Sequence, residues 1–235
     1  MNQKSILEIA VESVAAAQAA ERGRADRIEL CAELACGGLT PSVDAMEQAR
    51  RLLTIPIHAM IRPRAGDFCY SDEEFTAMKE SIVRAQRMKM DGVVLGLLRD
   101  DHSIDIERTK ELVLRARPMN VTFHRAFDEC GNLLAGLEDV IRTGADRILT
   151  SGGAPDAVIG RDAIHTLVKL AGQRIAIMPG AGITPENFAT VAKATRAREY
   201  HSGLGKVLRY GNENLSRFEK EVRKLSIAAQ SERND

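Results

Sequence analysis

Eight short apolar runs alternate with eight helix-compatible stretches, and this alternation restricts the fold more than any other feature of the chain. The runs are ILEIAV (6–11), RIELC (27–31), IPIHAMIR (55–62), GVVLGLL (92–98), NVTFHRAF (120–127), RILT (147–150), RIAIM (174–178) and EYHSG (199–203). Each strand-like run is followed by helix-start chemistry or a glycine turn. Ser13 serves as an N-cap, Thr40-Pro41 and Thr184-Pro185 as cap-plus-first-turn pairs, and Ser71 three residues before Glu74 as a capping box. The helices expected from this reading run to about Arg22, from Thr40 to Leu53, from Asp72 to Met88, from Asp105 to Ala116, to Thr143, from Asp162 to Ala171, to Ala194 and from Leu215 to Ile227. Eight βα units in 235 residues fit a closed barrel better than an open doubly wound sheet, which more often has five or six strands. The expected architecture is α/β: a single (β/α)8 TIM-like barrel spanning residues 1–235, with a polar tail from about residue 229.

The tetrapeptide ADRI occurs at Ala25–Ile28 and again at Ala145–Ile148, four strands later. A half-barrel repeat produces that spacing, and so does chance or a shared helix-to-strand junction.

Composition removes several functions. Thirty-three basic residues balance thirty-three acidic ones, aromatics make up 4% and there is no Trp, so neither a basic footprint nor a stacking platform for nucleic acid is present. No apolar run approaches the roughly 20 residues of a membrane helix, and the N-terminal run is too short for a signal peptide. The expectation is a cytoplasmic protein with no nucleic-acid or membrane partner. Cys31, Cys36, Cys69 and Cys130 form no CxxC pair and read as free thiols.

Strand periodicity says which side chains enter the barrel. By parity the inward set is unusually polar: Glu8, Glu29 and Cys31, His58 and Arg62, Thr122 and His124, Glu199 and His201. Unpaired, such groups cost several kcal/mol each to bury, so they neutralise one another or face a wet pocket. One reading is an internal Glu-Arg-His network that sets strand register. The other is a functional pocket, favoured by the charge that Arg62, Arg64, Arg125 and Asp128 continue past the strand ends. As an enzyme the chain would clamp an anionic small molecule with Arg62 and Arg125, use His124 or Glu29 as general acid/base, and draw Glu8, Asp128 and His201 into the catalytic set. Arg64 and the turn residues Ser151, Gly152, Gly180, Gly182, Thr184 and Ser202 would hold the phosphate or carboxylate. A divalent Zn or Mn ion on Glu8, Glu29 and His124 is a variant of this reading. Alternatively, the thiols at strand ends, Cys31 above all with Cys69 and Cys130, would suit Cu(I).

The segments RADRIELC, GGLTPS, IPIHAMIRPRAGDFCYSDEEF, VTFHRAFDEC, ADRILTSGG, IMPGAGITPEN and EYHSG, in this order between Leu7 and Gly203, resemble the CutC family of copper homeostasis proteins. The resemblance implies a TIM-like barrel, cytoplasmic copper handling, and family cysteines at Cys31, Cys69 and Cys130. Ala10 stands where the first strand of the family often ends in Cys, Ala65 replaces the commoner Gly of RPRGG, and the segment after His201 is shorter than in many members. A homo-oligomer is expected of a barrel of this kind.

Overall fold

A computed structural model describes residues 5–204 and 214–231. Eight parallel strands form one sheet: β1 (Ile6–Val11), β2 (Arg27–Leu30), β3 (Ile57–Met60), β4 (Gly92–Leu95), β5 (Asn120–Phe123), β6 (Arg147–Thr150), β7 (Ala176–Pro179) and β8 (Glu199–Ser202). The hydrogen-bonded order is β7-β6-β5-β4-β3-β2-β1-β8, so the ladder wraps from β8 through β1 to β7 and forms a nearly closed (β/α)8 barrel. Around it lie α1 (Val14–Arg22), α2 (Val43–Leu52), α3 (Asp72–Arg87), α4 (Ile106–Ala116), α5 (Leu133–Thr143), α6 (Arg161–Ala171), α7 (Phe188–Thr195) and α8 (Leu215–Ser231). Among the described residues, no helix is long and apolar enough to cross a membrane.

Alternation decides the two faces of each strand. Leu7, Ile9, Ile28, Leu30, Ile57 and Ala59 are fully buried under the helices, and the residues between them point into the barrel. The helix stripes complete this shell. Phe75, Met78 and Ile82 recur along α3 at helical spacing, as Phe218, Val222 and Leu225 do along α8.

Local sequence chemistry sets most helix starts. The Ser13 side chain accepts from the Ala16 amide, and Ser71 and Glu74 form the reciprocal capping box at α3. Two expectations are corrected. Thr40 and Thr184 cap no helix: α2 starts two residues later on Ser42, and α7 follows Asn187. Thr40 instead uses its hydroxyl on the backbone of Arg62, and the Thr184 amide is bonded by Asn187. The polar tail expected from residue 229 is helical through Ser231, and the rest of it, like residues 205–213 of the segment after His201, lies outside the described residues.

The repeated ADRI has one job in both halves. Asp26 accepts from the Leu7 amide at 3.0 Å, and Asp146 accepts from the Val121 amide at 2.7 Å, each fastening the strand before it. Arg27 and Arg147 both turn inward and meet on Glu199. Asp91, outside any ADRI, takes the Ile57 amide in the same way at 2.8 Å, so the aspartate contact is a helix-to-strand junction used by more than these two units, and what the two ADRI copies share beyond it is the inward arginine.

Candidate functional site

Two layers of charge fill the barrel. In the lower one, Arg27 donates Nε to Glu8 Oε2 at 2.5 Å and Nη2 to Glu199 Oε2 at 2.7 Å. Arg147 grips Glu199 with two nitrogens, at 2.5 and 3.0 Å, and reaches the Thr122 hydroxyl. Burial works against both carboxylates, and the guanidinium groups override it: Glu8 lies well below the ordinary carboxylate range and Glu199 is lowered. His58 packs beside them, its Nδ1 3.8 Å from Glu8, and burial pushes it down to about 3, so it is neutral. A methyl group at Gly92 would come within 2.4 Å of the His58 ring, so only glycine leaves room for this imidazole.

Above this network a cavity of about 1260 Å³ opens at the C-terminal ends of the strands. Glu29, His201, His124, Met60 and Leu149 contribute to its lining, with Arg217 of α8 at the rim. Glu29 is 3% exposed, and its Oε1 has no hydrogen-bond partner among the described residues. Its Oε2 accepts from the Cys31 thiol at 3.4 Å and lies 3.9 Å from His201 Nε2. Burial, reinforced by the charge of Glu8, raises the Glu29 pKa against the pull of His201 and Arg27. Burial opposes a charge on His201, but Glu29 and Glu8 outweigh it and raise its pKa. His201 Nδ1 is held by Glu8 Oε1 at 2.8 Å, so a carboxylate below orients the ring that faces the carboxylate above.

His124 stands on another wall, 4% exposed. Its Nδ1 accepts the Ala126 amide at 3.2 Å, and Nε2 has no partner among the described residues. Burial, then the charge of Arg62, lowers its pKa to about 3. Phe68 packs 4.8 Å from the ring, and a methyl group at Gly96 would fall 2.5 Å from Nδ1.

The remaining predicted residues are partly spent on the protein itself. Arg62 lies beyond β3 rather than in it, corrected from the last inward strand position, and donates to the carbonyls of Cys36, Gly38 and Gly66. Arg64 does not converge with it: it is tied to Glu74, Asp67 and the Cys69 carbonyl within its own loop. Arg125 pairs with Asp128 and reaches the Ser151 hydroxyl. Asp128 in turn takes the amides of Ser151 and Gly153, the Ser151 hydroxyl and the Thr150 hydroxyl, so the turn expected to cradle an outside anion already cradles a carboxylate of its own. The Gly152 amide goes to Thr150, the Gly180 amide to the Thr150 carbonyl, and the Ser202 hydroxyl to the Ile183 carbonyl. At this rim the amides of Gly182 and Gly203 make no hydrogen bond among the described residues.

The thiols do not gather. Cys31 is buried at Glu29, and burial and that carboxylate raise its pKa well above the ordinary thiol value. Cys130 is pushed up to about 12 by burial and nearby acids, and Cys69 is raised by burial. Among the described residues, the group of three metal-capable side chains is Glu8, Glu29 and His201, with ligand atoms within 4.8 Å of one another; His201 takes the place expected for His124. Two carboxylates with a single imidazole suit Cu(I) poorly, because the carboxylates are hard donors. Nor does the group fit a divalent ion well, since both Glu8 oxygens are engaged, by Arg27 and by His201.

Sequence reasoning missed Arg27 and Arg147, although the ADRI repeat marks both, and it missed that Gly96 makes room for His124.

Comparison with known proteins places this geometry among relatives. Residues 5–206 match the model of the CutC family. A family protein CutC of Vibrio vulnificus is 48% identical over 197 residues, covering 83% of this chain and 79% of its own. That of Chromobacterium violaceum is 47% identical, covering 84% and 80%. The crystal structure of the CutC protein of Streptococcus agalactiae, named for copper homeostasis, is similar with a TM-score of 0.80 at 32% identity, over 84% of this chain and 98% of that one. Thiamine phosphate pyrophosphorylase from Pyrococcus furiosus shares the fold alone, with a TM-score of 0.65 at 15% identity over 98% of each chain.

Proposed function

This chain belongs to the CutC family, and from that premise we propose that it is an enzyme of general acid–base type, acting on a small anionic molecule in the barrel mouth. The observation that carries this reading is Glu29: a carboxyl group with raised pKa and one unpartnered oxygen, at the floor of a large cavity beside a histidine that is itself oriented from below. A structural carboxylate would be saturated, as Glu8 and Glu199 are. In this reading Glu29 moves the proton, and His201 with Glu8 behind it sets the charge against which Glu29 works. The anionic end of the ligand sits at the amides of Gly182 and Gly203, with Arg217 and Arg125 at the rim. Arg62, Arg64, Thr184 and the Ser151 turn act from behind by fixing the loops. Inorganic phosphate should raise the melting temperature of the wild type in proportion to the logarithm of its concentration. No shift at concentrations of about 10 mM would remove the phosphate end of the ligand.

Copper provides the second reading, carried by the name of the Streptococcus agalactiae relative and by one contact. Cys31 and Met60 pack in one buried cluster, with Met60 on the cavity wall, a thiol and a thioether, soft donors of the kind Cu(I) takes. Competition with a Cu(I) chelator should show tighter binding by wild type than by Cys31→Ser; equal affinities would remove Cys31 from any copper role, and Cys69→Ser and Cys130→Ser test the other two thiols in the same way. Both readings are of a cytoplasmic protein, and light scattering on the purified chain would test the homo-oligomer expected of it.

A further inference from the structure

Three residues of the cavity wall carry a buried atom without a partner among the described residues; Arg62 Nε belongs to a guanidinium already spent on three carbonyls, and the other two are of opposite kinds. Because His124 Nδ1 accepts the Ala126 amide, the neutral ring carries its proton on Nε2, and this is the atom without a partner. Glu29 Oε1 is an acceptor without a partner. Strand parity places them in neighbouring layers at the top of the barrel, Glu29 with Val94, Leu149 and His201, and His124 with Ala10, Met60 and Gly180. Both residues line the same cavity. A hydrogen-bond donor that stays neutral and a carboxylate that takes protons are the two groups an enolisation needs.

We propose that the substrate is an α-hydroxy aldehyde or ketone bearing a phosphate, that Glu29 removes the proton from its α-carbon, and that His124 Nε2–H donates to the carbonyl oxygen as it becomes an enolate. This rests on the acid–base reading of Glu29. The C–H electron pair becomes the new C=C bond and the carbonyl π pair moves onto oxygen; Glu29 then returns its proton to the same carbon, which gives exchange, or to the adjacent carbon while the hydroxyl proton passes to the enolate oxygen, which gives the isomer, so nothing is oxidised overall and no co-reactant is needed. A neutral imidazole suits the second role. It polarises the oxygen without the penalty of a buried imidazolium, and in a dry floor a single aimed N–H counts for far more than in water. The surroundings hold the ring in that state: Arg62 stacks 4.8 Å from Phe68, Phe68 lies against His124, and among the described residues no carboxylate bonds the imidazole. His201 is the contrast, facing Glu8 and Glu29.

The test is proton exchange in D2O, followed by ¹H NMR, with glycolaldehyde phosphate, dihydroxyacetone phosphate, ribulose 5-phosphate and fructose 6-phosphate as probes. At least one should lose its α-proton signal faster with wild type than in buffer. Asn at position 124 retains an acceptor for the Ala126 amide and lacks the distal N–H, so His124→Asn should bind the probe as wild type does yet exchange about 100- to 1000-fold more slowly. Glu29→Gln should abolish exchange. If Glu29→Gln still exchanges, the acid–base reading itself fails. If probes bind but none exchanges, that reading survives and the carbonyl substrate is wrong; if His124→Asn exchanges at the wild-type rate, His124 is not the electrophile. Should His124→Asn fail to fold, ¹⁵N spectra of the wild-type imidazoles decide instead: a proton on Nδ1, or a ring that titrates near neutrality, overturns the proposal.

Discussion

The lower barrel and the mouth are built from the same residue types and solve burial in opposite ways. Below, Glu8, Arg27, Glu199 and Arg147 alternate in sign, and every carboxylate oxygen has a guanidinium or imidazole donor. Among the described residues, the fully buried atom there without a bond is His58 Nδ1, and that ring is held neutral. Above, Glu29 and His124 each retain an unsatisfied atom, although both are as well screened from water as the residues beneath. Buried polar atoms left unpaired cost about 1–3 kcal/mol each, so a fold that satisfies one layer and not the next is bearing that cost for a reason outside stability. The difference separates scaffold from site within a few ångströms of one strand.

The strongest way to break this contrast is to neutralise its lower half. Glu8→Gln leaves Arg27 with one anionic partner fewer and His201 without its orienting carboxylate. The loss should be about 3–5 kcal/mol, read as a drop in the urea midpoint, because a buried charge is left uncompensated. A change under about 1 kcal/mol would mean that the lower layer is not a closed network and that the division drawn above is false.

Arg62→Lys probes the boundary between the two regions. The guanidinium spans three carbonyls, of Cys36, Gly38 and Gly66, and an ammonium cannot reproduce that planar fork. Stability should fall by about 1–3 kcal/mol, with phosphate binding at the rim retained. Unchanged stability with lost phosphate affinity would move Arg62 from the loop scaffold to the ligand.

How much of this contrast is legible in the chain depends on the range of the interaction. Period-2 alternation places Glu8, Glu29, His58, His124 and His201 inside the barrel, and short-range capping at Ser13 and Ser71 fixes helix starts, because both are decided by neighbours a few residues away. The Thr40 and Thr184 caps fail for the converse reason: a partner distant in sequence, the Arg62 backbone, captures the Thr40 hydroxyl, and Ser42 offers a competing cap for α2. Asp128 filling the Ser151 turn is likewise invisible, since 23 residues separate carboxylate from amide. The same holds for the state of each histidine. His58, His124 and His201 share a pattern in the sequence, and only the groups packed around them lower the pKa of the first two and raise that of the third.

The smallest effect sharpens the comparison furthest. The lowered pKa values of Glu8 and Glu199 mean that the lower layer stabilises the fold above the ordinary carboxylate value of 4.5 and loses that contribution as pH falls through the folded values. The mouth has the reverse sign. His201, raised from 6.5, contributes stability that is complete below that pH and fades as pH rises through its folded value. Glu29, raised from 4.5, binds its proton more tightly in the folded chain, so its contribution also falls with rising pH. Wild-type stability should therefore have an acid limb owned by the scaffold and an alkaline decline owned by the site. Glu29→Gln removes one mouth titration and takes from His201 the carboxylate that most strongly raises it, while leaving Arg27 and Glu199 as they are. Its stability near neutral pH should stay within about 1 kcal/mol of wild type, the alkaline decline should flatten, and the acid limb should not move. Urea unfolding measured across pH reads all three. If the alkaline decline persists unchanged, Glu29 and His201 are not coupled; if the acid limb shifts as well, scaffold and site share one titrating network and the boundary between them has to be redrawn below Glu8.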